Sequence, residues 1–170
     1  VFLSRLFVQY LLLKKIIIFR NLVKNIYFLS VLFITGCNQN DEVAMLYSYP
    51  KYGHCSIESP ARGDTLTIGK ELLISGWAYD ENKKTIPSTL TMYFINENTN
   101  RITAATVKRG EKREDVAKVL ENPILVDSGF SGSIEAKKLV AGKYRLILLQ
   151  ADRTSGVISC AGESHTVILQ

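Results

Sequence analysis

From residue 54 to the end, the chain is a series of short runs in which apolar and polar residues alternate, separated by turn-forming clusters. Residues 89–95 show the pattern most cleanly, with Leu90, Met92 and Phe94 against Thr89, Thr91 and Tyr93. One buried face and one wet face is what a strand of an antiparallel sheet requires. Residues 71–79 read the same way, with Leu72, Ile74 and Ala78 on one face and Leu73, Trp77 and Tyr79 on the other. Further strands are predicted over 55–58, 66–68, 102–107, 124–126, 129–134, 144–151, 157–160 and 166–169. Within them Leu146, Ile147, Leu148 and Leu149 are apolar on both faces and mark a central strand. Short strands at this spacing predict a sandwich or a barrel.

One helix interrupts the series, over 111–120, with Val116, Val119 and Leu120 as its apolar stripe. Pro123 ends it, because the residue before a proline avoids the helical region. Arg113 and Asp115, two positions apart on that helix, should not face one another and should each find a separate partner. A local motif narrows the fold class. Leu139, Gly142, Tyr144 and Leu146 have the L-x-x-G-x-Y-x-L spacing, which resembles the tyrosine corner of immunoglobulin-like and fibronectin-like domains. That resemblance implies an all-β sandwich of about seven strands with one short helix. In such a core Trp77, the only tryptophan, is expected to be buried.

The first 36 residues have a different character. Basic Arg20 and Lys24 precede the apolar run 26–34, which ends in Ile34, Thr35, Gly36 and Cys37. Basic, then apolar, then small residues is the layout of a secretory signal. The Ile-Thr-Gly-Cys ending resembles the lipobox of bacterial lipoproteins, which implies acylation of Cys37 and removal of residues 1–36. The first residue is Val1, and an extra apolar block precedes the signal; both fit a translation start near Leu13 or later. From Leu11 onward no uncharged stretch reaches the ~20 apolar residues of a membrane span. The expected organisation is a signal peptide over 1–36, a lipidated tether over 37–53 and the β domain over 54–170. By resemblance to enterobacterial sorting, Asn38 after the cysteine implies the outer membrane, with the protein facing the periplasm.

This cut changes the charge argument. Five of the 21 Lys and Arg lie in the leader, as do none of the 16 Asp and Glu, so the mature part carries 16 of each sign. The formal charge of +5 belongs to the leader and gives no support to a nucleic-acid partner. Cys55 and Cys160 then form the one pair open to oxidation in an exported domain and are expected to be disulfide-linked, first strand to last. The rival is a zinc site, since His54 adjoins Cys55 and His165 follows Cys160, but the tight spacing of structural zinc sites is missing.

Catalytic motifs are equally missing: there is no nucleophile elbow, H-E-x-x-H or Walker sequence. Asp64, Asp80, Asp115 and Asp127 could converge only through the fold. The stretches Gly76-Trp77-Ala78-Tyr79-Asp80, Arg113-Glu114-Asp115-Val116 and Gly129-Phe130 resemble a small immunoglobulin-like module of bacterial envelope proteins. In that family such modules are often appended to glycan-processing membrane enzymes. The combined expectation is a lipid-anchored, non-catalytic envelope protein with no cofactor or metal. It would act as a binding or accessory module for a surface glycan or a partner protein. The alternative is an inhibitor or immunity-type lipoprotein that blocks an incoming enzyme. The candidate contact residues are Asp80, Lys83 and Lys84 in the loop 80–87, with Lys108, Arg109 and Arg113 in the charged segment 108–122.

Overall fold

The computed structural model describes residues 39–153, 156–161 and 165–170. The expected signal peptide over 1–36, with Cys37 and Asn38 of the tether, lies outside them. The segment from Asn38 to Gln170 is a compact unit of its own, and its hydrophobic clusters are built from residues between 43 and 169.

Among the described residues nine strands form it: β1 (Gly53–Ser59), β2 (Thr65–Leu66), β3 (Glu71–Asp80), β4 (Thr89–Asn96), β5 (Ile102–Glu111), β6 (Gly129–Glu135), β7 (Gly142–Asp152), β8 (Gly156–Ala161) and β9 (His165–Leu169). Hydrogen bonding runs β7–β4–β5–β6–β3–β1–β8 and returns to β7. Seven strands therefore close into a barrel, and the expected immunoglobulin-like sandwich is overturned. β9, with β2 beside it, attaches to β7 outside that ring.

Two strands that turn corners explain the difference. β5 pairs with β4 over its first part, from Ile102 to Val107, and with β6 beyond it, from Lys108 to Glu111. β8 pairs with β7 as far as Ser159 and then, in parallel, with β1 at Cys160 and Ala161. A sandwich leaves both junctions between its sheets unpaired; here each is bridged by a continuous strand. The bend in β5 is a bulge between Arg109 and Glu111, where Gly110 has φ of +132°. Glycine reaches that conformation without a Cβ penalty.

The alternation read from the sequence places the right faces inward. Leu72, Ile74, Ala78, Leu90, Met92 and Phe94 are all buried in the main core with Phe130. Trp77 is not in that core. It sits half-buried on the outer face of β3, against a second cluster with Tyr79, Val116 and Leu125. The tyrosine-corner contact itself is present. The Tyr144 hydroxyl donates to the Val140 carbonyl at 2.8 Å and accepts from its N–H at 3.0 Å. That contact pins the start of β7 in a barrel as well as it would in a sandwich.

Three local expectations also change. The tether is helical over its middle: α1 (Gln39–Ser48) packs on the barrel through Leu46, which is buried against Ile95 and Leu149. The predicted helix is shorter, α2 (Glu114–Val119), because β5 runs on to Glu111. The strand predicted over 124–126 is a 3-10 turn (Pro123–Asp127). Pro123 starts that turn and the Asn122 side chain accepts from the Ile124 N–H, a capped geometry that competes with strand pairing.

Candidate functional site

A slot in the barrel wall is a concave feature of the described residues. On its far side from β4, β7 pairs with β9 up to Leu146 and with β8 from Leu149 onward. Among the described residues, Ile147 and Leu148 between them have no partner on that side. Among the described residues, β1 meets β8 at Gly53 and His54, and none pairs with its edge from Cys55 to Ser59 on that side. These two stretches face a slot of about 510 Å³ that also reaches α1, β8 and β9. The size is within the range of small-molecule sites, ~300–1,000 Å³.

Its floor and rim differ in chemistry. Leu146 and Leu148, both buried core residues, form the floor with Ile57 and the Cys55–Cys160 pair. The rim carries Lys51, Arg62, Arg145 and His165. Among the described residues no acid lines the slot. Arg145 shares its charge with Glu97 at 2.9 Å and donates to the Tyr47 hydroxyl. Lys143 also binds Glu97, and together the two cations hold the Glu97 carboxyl below its ordinary range. His165 contacts the Pro60 carbonyl at 2.7 Å through Nε2.

Cys55 and Cys160 form a disulfide with Cα atoms 5.8 Å apart. It joins β1 to β8, the penultimate strand and not the last as expected. The bond clips the seam where only two residue pairs register, so it reinforces the weakest closure of the ring. Gly53 lies at the same seam. A Cβ there would collide with the Gln150 side chain and the Ser159 carbonyl, so the close approach needs glycine.

The residues proposed from sequence fall elsewhere, and several are structural. Asp80 is buried, and its Oδ1 accepts the Lys83 N–H at 3.0 Å, closing the turn that the Asp80–Thr85 bridge completes. Lys83 and Lys84 are exposed on that turn, and Lys108 is exposed on β5. Arg109 is not a surface residue of a loop. Its guanidinium turns inward and donates to the carbonyls of Ala78, Pro87 and Ser128 and to Gln150 Oε1. Burial pulls its pKa down to about 10, which still leaves it charged at neutral pH. Arg113 does meet Asp115, contrary to the helical-spacing argument. It is the residue before α2, so its fork closes on Asp115 at 2.9 and 2.6 Å while also reaching Glu58 at 2.8 Å. That pairing pulls the Asp115 carboxyl down to about 2.

The four acids considered for chemistry have separate partners. Asp64 accepts from the Ala61 N–H, Asp80 from Lys83, Asp115 from Arg113 and Asp127 from Lys112. His54 stands on the outer face of β1 against Tyr79 and Trp77, apart from the slot that His165 lines. Both cysteines of the considered zinc set are consumed by the disulfide. The slot itself was not read from the sequence, because it depends on where β8 leaves β7 and β9 joins it. No protein-family model matches this chain, and no curated protein matches it.

Proposed function

We propose that the chain is an exported, lipid-anchored binding module without catalytic activity, whose contact surface is the slot in the barrel wall. The observation that carries this reading is a concave site with an apolar floor and a cationic rim, in a domain whose net charge is otherwise balanced. Convergent polar groups around an apolar pocket are the usual form of a ligand site. The anchor is proposed from the lipobox-like ending at Cys37. The non-catalytic role is proposed from the absence of a motif and from the separate partners of the acids.

Two arms test it. A fatty-acid analogue should label the chain, and Cys37→Ser should abolish the label; equal labelling would overturn the anchor. A photoreactive residue at Ser56, on the slot, should give discrete adducts in the native envelope, while one at Lys83 should not. The reverse pattern would overturn the slot as the contact surface.

One observation favours an inhibitor as the second reading. Val119, Leu120 and Ile124 form an exposed apolar tip on α2 and the turn after it, over the buried Val116, Ala117 and Leu125. A rigidly based apolar projection is the shape an inhibitor would insert into an enzyme cleft. Val119→Asp would abolish such an inhibition without affecting the slot.

A further inference from the structure

We infer that α1 is a strap and not a free spacer: it holds the acylated end of the chain under one end of the barrel, so that this end lies against the lipid bilayer and α2 points away from it. The inference rests on acylation at Cys37 and adds the surface that meets the lipid.

A tether lets a domain swing freely only where its residues make no contacts with that domain. Here the chain is pinned from Asn40 onward. The Asn100 side-chain amide donates to Asn40 Oδ1 at 2.7 Å. Leu46 is buried against Ile95 and Leu149. Arg145 donates to the Tyr47 hydroxyl at 2.9 Å. Beyond the helix, the Pro50 carbonyl accepts from the Ser159 N–H at 2.8 Å and the Tyr52 carbonyl from the Glu81 N–H at 2.9 Å. Only two chain steps separate Cys37 from Gln39, where α1 begins, a reach of about 7 Å at full extension.

The start of α1 thus marks the end of the barrel at which the lipid is attached. There the Asn100 N–H donates to the Asn96 carbonyl at 2.9 Å, and the Glu97 N–H to the Lys143 carbonyl at 2.9 Å. Gly142 pairs with Leu169, and the Ile68 N–H donates to the Gln170 carbonyl at 3.0 Å. Hydrogen bonding therefore joins the β4–β5 loop, the start of β7 and the segment after β2 into one surface.

That surface has the make-up of an interfacial one. Val140 and Ile68 are exposed on it, at 44% and 37%. Lys70, Arg101 and Lys138 stand around them, also exposed, while Lys137 and Lys143 pair with Glu135 and Glu97. Long cationic side chains lay their stems along apolar surface and carry their charges up to lipid head groups. Asp41 and Glu42 on α1 and Glu71 on β3 offset the three cations, so a neutral bilayer suffices. The opposite end carries α2 and the 3-10 turn that connect β5 to β6. Tilted strands of this length set it about 20 Å farther from the bilayer.

The full chain, purified from a bacterial host, is the material for the test, and mass spectrometry reads the modification at Cys37. The protein is reconstituted into phosphatidylcholine vesicles that contain a lipid with a nitroxide on its head group. In a Trp77→Phe background, Val140→Trp, Ile68→Trp and Val119→Trp each supply a single tryptophan at an exposed position. The nitroxide should quench Val140→Trp and Ile68→Trp at least two-fold and leave Val119→Trp nearly unquenched. A flexible Gly-Ser stretch inserted between Asn38 and Gln39 keeps the helix contacts but lengthens the attachment, and should at least halve the quenching at Val140→Trp.

Indistinguishable quenching at all three positions, or none, would overturn the orientation and leave the anchor standing, as would quenching at Val119→Trp alone. Unchanged quenching in the lengthened chain would overturn the strap, because the end of the barrel would then adhere to lipid by itself. A Cys37 that carries no acyl chain would refute the anchor and this inference with it.

Discussion

Replacing Arg109 with methionine should destabilise the barrel severely, although sequence reasoning would place this residue among the tolerant surface charges. The guanidinium is held by three backbone carbonyls, on β3, on the β3–β4 loop and just before β6, and by Gln150 on β7. It thus joins four segments around the ring. Each hydrogen bond from a charged donor contributes ~1.5–3 kcal/mol, and a stranded buried acceptor costs ~1–3 kcal/mol. Methionine keeps much of the packing volume and removes the cost of burying the charge, which offsets part of the loss. The net expectation is about 3–5 kcal/mol, the usual scale for breaking a buried charged network. For a domain of this size that lowers Tm by about 10–20 °C. Arg109→Lys retains the charge but not the fork, and should recover no more than about half of the loss. Thermal and urea unfolding of the 38–170 domain give both numbers. An Arg109→Met variant melting within about 2 °C of the parent would refute the reasoning, because it would mean that the four acceptors are satisfied without the arginine.

Three further outcomes follow from the same geometry. Cys55→Ala with Cys160→Ala should destabilise by about 3–5 kcal/mol, since the bridge closes a loop spanning 105 positions; chemical denaturation against the oxidised parent measures it, and equal midpoints would contradict it. Tyr144→Phe should cost about 1–2 kcal/mol, because the ring stays while both backbone groups of Val140 lose their partner; a loss under a few tenths of a kcal/mol would remove the corner's structural role. The folded-state pKa of Glu97 lies below its ordinary value, so its ion pairs stabilise the fold above that value and are lost as pH falls through the folded pKa. Glu97→Gln should therefore lower Tm at neutral pH, leave it nearly unchanged in strong acid and so flatten the acid limb of a Tm-against-pH curve; an unchanged acid limb would assign that limb to other carboxylates.

Strand positions and inward faces were legible in the sequence, because a two-residue period with one buried face leaves its mark locally. Leu90, Met92 and Phe94 are an example: they alternate in the chain and lie together in the core. Barrel closure was not legible in the same way. Whether β5 ends at Val107 or bends at Gly110 and continues into another pairing depends on partners distant in the chain. The tyrosine corner compounded the error. Its hydrogen bonds span four residues and constrain only the start of one strand, so they are compatible with either architecture. Arg109 was misread for a related reason. A charged pair followed by glycine looks like a solvated turn, yet the bulge at Gly110 aims one of the two basic residues into the barrel and leaves Lys108 outside. Cys55 and Cys160 were paired correctly from their number and setting, with no knowledge of which strands would carry them. The slot left no local signal at all, being made by strands that part company.

The most direct test of the slot as the binding surface is an amide NMR titration of the isotope-labelled 38–170 domain with solubilised native envelope. The account predicts that perturbed resonances cluster at Ser56 and Ile57 on β1, Ile147 and Leu148 on β7, and Ser159 and Cys160 on β8, with a single saturating site. Saturable perturbations centred instead on the loop 80–87 or on the tip at Val119 would contradict it, as would a spectrum left unchanged.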